Sequence, residues 1–103
     1  MSLTVRIEPE AEVQIAALAD WWRAHRTAAR SLKALLADAL EWIASTPYGA
    51  PVYARIEGEE VRRWPIKTTP YMVYYYVDEA THEAKVVSVW SAVRGEPPPL
   101  RVR

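Results

Sequence analysis

Basic and aromatic side chains are concentrated in one stretch of this 103-residue chain, VRRWPIKTTPYMVYYYVD at residues 61–78. Arg62, Arg63 and Lys67 could hold phosphate groups through charge-assisted hydrogen bonds, and the aromatic rings could stack on nucleotide bases. The same rings suit a protein partner, because tyrosine and tryptophan join an apolar body to a polar group. Each basic residue could equally be an ordinary solvated charge at the edge of a sheet. The stretch therefore predicts either a binding surface or a solvated edge, and composition alone does not choose between them.

The segment YMVYYYVD, residues 71–78, predicts a β-strand whose tyrosines are divided between two faces. Side chains of a strand point alternately to opposite faces of the sheet. We expect the face with the two β-branched valines to lie under helices, and its members are Tyr71, Val73, Tyr75 and Val77. The other face, here called the distal face, is expected to be exposed and to form a groove floor for a partner segment. Its members are Met72, Tyr74 and Tyr76.

The rest of the chain predicts the elements that position this strand. Alternating apolar residues at 3, 5 and 7 predict a short N-terminal strand, and helical periodicity predicts helices at residues 9–26 and 27–45. Two more strands are predicted at residues 60–67 and 84–92. The fold class is therefore α+β: an N-terminal strand, an antiparallel helical hairpin and a three-stranded antiparallel meander. We expect a single domain, residues 1–103, with an extended proline-rich tail at 94–103 that has little reason to fold alone.

The first predicted helix carries two apolar stripes instead of one. The stripe expected to be buried consists of Ala11, Ile15, Leu18 and Trp22. The second stripe lies on roughly the opposite side and consists of Val13, Ala17, Trp21 and Ala24. This second stripe is either scattered surface apolarity or a partner surface in which Trp21 is the large contact residue.

Composition narrows the chemistry that the chain could perform. The 13 basic and 13 acidic residues cancel, so no global field indicates a nucleic acid or a membrane as partner. The chain has no cysteine, and His25 and His82 lack a second ligand at metal spacing. These two observations predict no metal site. Neither a serine elbow nor a phosphate-cradling glycine loop is present, so no serine nucleophile and no cofactor are predicted. The chain start lacks a signal peptide and no apolar run approaches ~20 residues, which predicts a cytoplasmic protein without a membrane span.

Two strings in the second half of the chain resemble the RelE/ParE superfamily of toxins from bacterial toxin-antitoxin modules. They are VRRWPIKTTPYMVYYYVD and AKVVSVWSAVRGEPP, and the helix start IEPEAEVQIAAL and the helix stop TPYGAP are also similar to that family. The resemblance implies a β-α-α-β-β-β fold and a cytoplasmic toxin that a cognate antitoxin neutralises. It also implies one of two activities, which are ribosome-dependent cleavage of messenger RNA and inhibition of DNA gyrase.

The residues expected of the RNA-cleaving branch are incomplete in this sequence. Arg63 matches one basic position and Arg94 is the nearest candidate for the last, whereas Pro65 and Met72 stand where two other charges are expected. Trp90 is followed by serine instead of histidine, and no Tyr or His follows Arg94. The resemblance therefore favours a gyrase-binding toxin, with a ribosome-dependent nuclease and a non-toxic binding module as the alternatives. The residues expected to bind partners are Arg62, Arg63, Lys67, Met72, Tyr74, Tyr76, Trp90, Arg94 and Trp21.

Overall fold

A computed structural model describes residues 2–25, 30–93 and 95–102. The elements in chain order are β1 (Thr4–Ile7), α1 (Pro9–His25), α2 (Leu32–Ser45), β2 (Val52–Ile56), β3 (Glu59–Pro65), β4 (Tyr71–Asp78) and β5 (Glu83–Ser91). The strands form one five-stranded sheet in the order β1-β5-β4-β3-β2. β1 pairs with β5 in parallel, and the other neighbouring pairs are antiparallel. The predicted α+β class and the order of its elements are confirmed, with one strand more than expected.

The additional strand is β2, which forms a hairpin with β3. Its two-residue connection, Glu57 and Gly58, has positive φ at both positions, 51° and 86°. Such a turn matches the twist of the flanking strands, and glycine accommodates it readily. The sequence pattern did not indicate this strand because β2 is short and lies at the sheet edge, so neither face shows a clean apolar alternation.

Both helices pack on one face of the sheet and enclose the main core. Ala11, Ile15 and Trp22 of α1 are buried there as the periodicity predicts, whereas Leu18 is only half-buried and Ala19 takes the interior position. α2 begins later than expected, because Ser31 caps it by accepting a hydrogen bond from the Ala34 amide at 3.1 Å. The part of the predicted second helix at residues 27–29 lies outside the described residues.

Helix α1 is fastened to β5 at a bulge. Tyr74 pairs with Ser88 and Tyr75 with Val86, so Val87 is an extra residue on β5. The Gln14 side-chain oxygen accepts hydrogen bonds from the Val89 amide at 2.8 Å and from the Ser88 hydroxyl at 3.0 Å. A side chain of α1 thereby satisfies a backbone amide and a buried hydroxyl beside the bulge.

A second, smaller core, here called the distal cluster, lies on the distal face. Val61, Tyr74, Tyr76 and Val87 are buried in it, and two tail residues, Leu100 and Val102, pack against it. The described part of the tail forms no helix or strand, and its apolar side chains lie against the sheet. Among the described residues, no helix is long and apolar enough to cross a membrane.

Candidate partner-binding face

The distal face is built from opposed residues of β3, β4 and β5. Arg63 lies opposite Tyr74, and Pro65 lies opposite Met72. Met72 in turn lies opposite Trp90 on the next strand. Directly opposed residues in antiparallel strands share a face, so these side chains form adjoining rows across the sheet. The sequence interpretation of which β4 residues share a face is confirmed.

The two distal tyrosines are not exposed. Tyr74 and Tyr76 are each only 2% accessible, and the Tyr74 ring meets the Tyr53 ring edge-to-face at 5.1 Å between centroids. The expectation that they form an open groove floor is wrong. The Tyr53 ring of β2 packs on the Tyr74 ring, and Leu100 and Val102 of the tail pack against the cluster that contains both tyrosines. Their role in binding a partner stays a prediction, and it now requires part of this cover to move.

Arg63 lies on the distal face, opposite Tyr74. Its guanidinium carbon lies 5.0 Å from the centroid of the Tyr53 ring, within the range of a cation–π contact. The side chain is half-buried, beside the ring pair of Tyr53 and Tyr74. Arg63 therefore combines a positive charge with an aromatic support, an arrangement that suits either a carboxylate or a phosphate of a partner.

Arg62 does not join Arg63. It lies on the helix side, where its Nη1 donates to the carbonyl oxygens of Ala50 at 2.7 Å and Tyr48 at 3.1 Å. Its Nη2 is 3.5 Å from a Glu60 carboxylate oxygen, and its side chain is only 15% exposed. These contacts fix the loop that follows α2, so Arg62 serves the fold and is not positioned for a partner on the distal face.

Lys67 is also separate from the distal face. It lies in the turn after β3 and lines a groove of about 950 Å³ between α2 and that turn. The indoles of Trp42 and Trp64 are stacked beside this groove, with 3.5 Å between ring centroids. Arg94, the last predicted basic residue, lies outside the described residues.

Trp21 is exposed, and its neighbour Trp22 is buried. The accessible fractions are 45% and 5%, which confirms the assignment of the two indoles to different sides of α1. Trp21 stacks on His25, with 4.4 Å between centroids, and lines a groove of about 430 Å³ between α1 and the end of the sheet. Trp90 lines the same groove and also packs against the distal cluster, so the two surfaces adjoin.

The acid–base groups near the distal face are paired. Lys85 Nζ lies 3.0 Å from an Asp78 carboxylate oxygen. This hydrogen bond raises the pKa of Lys85 and lowers the pKa of Asp78, so each residue stabilises the charged form of the other. Neither is suited to proton transfer near neutral pH. Within the described residues, no cluster of His, Asp and Glu could hold a metal ion.

Tyr53, Leu100 and Val102 are part of the face but were not among the predicted site residues. A weak signal exists for each. Tyr53 stands in VYARI, just before a Glu-Gly turn, and PLRVR places two apolar residues two positions apart after the prolines. Both signals are short, and their significance depends on contacts with residues of other strands.

Comparison with known proteins agrees with this architecture. No curated protein gives a significant match. The toxin-antitoxin complex RelBE2 from Mycobacterium tuberculosis contains a chain similar in structure, with a TM-score of 0.56 and 18% sequence identity. The alignment covers 88% of this chain and 99% of that one, and at this identity it supports the fold alone. A family model described as "ParE toxin of type II toxin-antitoxin system, parDE" matches residues 5–94. Because that match spans most of the sequence, the chain belongs to the ParE toxin family of type II toxin-antitoxin systems.

Proposed function

We propose that this toxin acts by binding DNA gyrase, without catalysis of its own, and that a cognate antitoxin neutralises it. Such a toxin would work in the cytoplasm, where gyrase is found. The observation that carries the proposal is an apolar row on the distal face, formed by Pro65, Met72 and Trp90. The resemblance to RNA-cleaving relatives places charges at the first two of these positions.

Cleavage of RNA makes chemical demands that this face meets poorly. A group must accept the proton of the attacking 2′-hydroxyl, and cations must offset the charge that develops on the phosphate. Lys85 is paired with Asp78 at 3.0 Å, so a carboxylate already offsets its charge, and Arg6 lies on the edge strand β1, 3.9 Å from Glu83. The phenolic rings of Tyr74 and Tyr76 are buried. This leaves Arg63 as the clearest cation for a phosphate on the described part of the face.

Binding, by contrast, requires only complementary surface. The apolar row and the aromatic-supported guanidinium of Arg63 offer the mixture of ring, thioether and arginine that is enriched in protein interfaces. The antitoxin partner is supported by the family match and by the structural neighbour, which is itself a toxin-antitoxin complex.

A second candidate function is a ribosome-dependent messenger RNA nuclease, and the position of Arg63 on the distal face favours it. In that case Arg63 and Arg94 would be the residues that act on the phosphate. A non-toxic binding module is the third possibility.

A gyrase assay with purified toxin and two measurements on cells after induction without antitoxin test the proposal. We expect purified toxin to inhibit supercoiling by gyrase and to stabilise cleaved DNA, and we expect cells to filament and induce their DNA-damage response. Mapping of RNA 5′ ends should show no new cuts within minutes of induction. Codon-phased cuts together with unaffected gyrase would overturn the proposal in favour of the nuclease. Normal growth and unaffected gyrase would indicate a non-toxic binding module.

A further inference from the structure

The tail is held against the distal face by contacts of its side chains and of its backbone. Leu100 and Val102 are two positions apart, so an extended chain directs both toward the sheet, where they pack on the distal cluster. Arg101, between them, reaches Glu10 of α1, with 3.8 Å between the charged atoms. The Trp90 indole N–H donates to the Glu96 carbonyl at 3.1 Å.

These contacts are suited to release. Leu100 and Val102 are only partly buried, and the ion pair of Arg101 with Glu10 is solvated. Pro97, Pro98 and Pro99 have no backbone N–H, so this part of the tail cannot donate to a strand ladder. The described tail residues accordingly form no strand. The tail therefore covers the face without becoming part of the sheet.

The surface beneath the tail would be unusual if it were left bare. Tyr74 and Tyr76 are buried almost completely, although they lie on the side of the sheet away from the helices. Without cover they would form, with Val61 and Val87, a contiguous apolar patch of the kind that marks a binding surface. The tail itself shows which chemistry fits this patch: an extended segment with two apolar side chains two residues apart and a basic residue between them.

We propose that the tail, residues 95–102, is an internal occupant of a peptide-binding groove on the distal face. The external occupant is an extended apolar–basic–apolar segment of the antitoxin, which displaces Leu100 and Val102 when it binds. This inference rests on the antitoxin partner named in the proposed function and is independent of gyrase. Only the open form of the free chain can bind the antitoxin. The apparent affinity is therefore lower than that of the open form, in proportion to the open fraction.

The cover can be tested without any partner. In the full chain, Leu100→Ser combined with Val102→Ser should loosen the tail and increase binding of the dye anilinonaphthalene sulfonate, which reports exposed apolar surface. The far-UV circular dichroism should stay unchanged. Val52→Ser is the matched control, because it removes an exposed apolar side chain at the other edge of the sheet. Unchanged dye binding in the double variant would overturn the proposal, since the tail would then not cover the face.

The competition is tested by titrating the purified antitoxin into the same variants. If the tail and the antitoxin segment share the groove, the double variant should bind about tenfold tighter, the gain expected when the closed form predominates by about ten to one. Val52→Ser should bind like the wild type. Equal or weaker binding by the double variant would overturn the proposal, because the tail would then be either irrelevant to the antitoxin or part of its binding surface. Neither assay contains gyrase, so failure of the gyrase proposal would leave both results unchanged.

Discussion

Pro65 and Met72 are directly opposed residues on neighbouring strands, and both belong to the distal face. Cross-strand neighbours have Cβ atoms about 5 Å apart, so residues at these positions act on the same ligand atoms if they act at all. A proline and a methionine supply no charge. The nearest described arginine on the same face of these strands is Arg63. Phosphate cleavage needs several cations, and one guanidinium does not supply them.

Arg63→Ala should therefore weaken toxicity only modestly, by less than about threefold in the inducer concentration needed to arrest growth. A catalytic cation would be worth a factor of about 10² or more in rate. Growth after graded induction is the measurement, with protein amounts matched by immunoblot. Arg55→Ala is the control for simple loss of an exposed positive charge, since Arg55 pairs with Glu60 at 3.0 Å. Complete loss of toxicity in the Arg63 variant alone would contradict a purely gyrase-binding role in which Arg63 is one contact among several.

The two adjacent indoles of α1 should respond differently to truncation. Trp22→Ala removes a buried ring that packs edge-to-face on Tyr71 and donates to the Arg30 carbonyl at 3.2 Å, so it should cost about 3–5 kcal/mol of unfolding free energy. Trp21→Ala removes an exposed ring and should cost less than about 1 kcal/mol. Urea unfolding followed by circular dichroism compares them. Equal large losses would show that the exposed stripe of α1 is structural and would remove it as a candidate partner surface.

Gln14 should contribute more to the free energy of unfolding than its half-buried position on α1 suggests. Gln14→Ala deprives the Val89 amide and the Ser88 hydroxyl of their acceptor at the bulge of β5 and should cost about 1–3 kcal/mol. Ser88→Ala is the matched comparison, because the Val89 bond survives, and it should cost about 1 kcal/mol. Thermal melts of both variants decide the order. A larger loss for Ser88→Ala would contradict the prediction, because Gln14→Ala removes the acceptor of the hydroxyl as well as that of the amide.

Stability should fall at alkaline pH because of Tyr75. Burial raises the pKa of its phenol to about 12 from the ordinary 10.0, and the hydroxyl donates to the Pro47 carbonyl at 2.6 Å. Below pH 10 the Tyr75 phenol keeps its proton in both the folded and the unfolded form, so its contribution to stability is constant. Above it the unfolded form ionises first, and stability should fall by about 1.4 kcal/mol per pH unit until the folded form also ionises near pH 12.

Tyr75→Phe isolates this effect from the other groups that titrate in the same range. It should cost about 1 kcal/mol at pH 7 through the lost hydrogen bond, and the difference from the wild type should shrink as the pH rises above 10. Unfolding midpoints measured between pH 7 and pH 11 test the prediction. A difference that stays constant over that range would show that the phenol of Tyr75 does not titrate differently in the two states.

The periodicity of the sequence determined which residues share a face. It assigned Tyr71, Val73 and Tyr75 to the helix side and Tyr74 and Tyr76 to the other, and it separated Trp21 from Trp22. Neighbouring residues of a strand point in opposite directions, and Arg62 and Arg63 accordingly lie on opposite sides of the sheet. These are local properties that follow from the repeat of the backbone, and one chain segment is sufficient to reveal them.

Tertiary structure alone decided what lies on each face. Tyr74 contacts Tyr53 of β2 and lies in the distal cluster, on which Leu100 of the tail packs. Arg62 donates hydrogen bonds to the carbonyl oxygens of Ala50 and Tyr48. Strand periodicity states the direction of a side chain but not its neighbour, because the neighbour comes from a distant part of the chain. The pairing of a weak edge strand and the docking of a proline-rich tail are stabilised by these long-range contacts, so neither was visible in the local pattern.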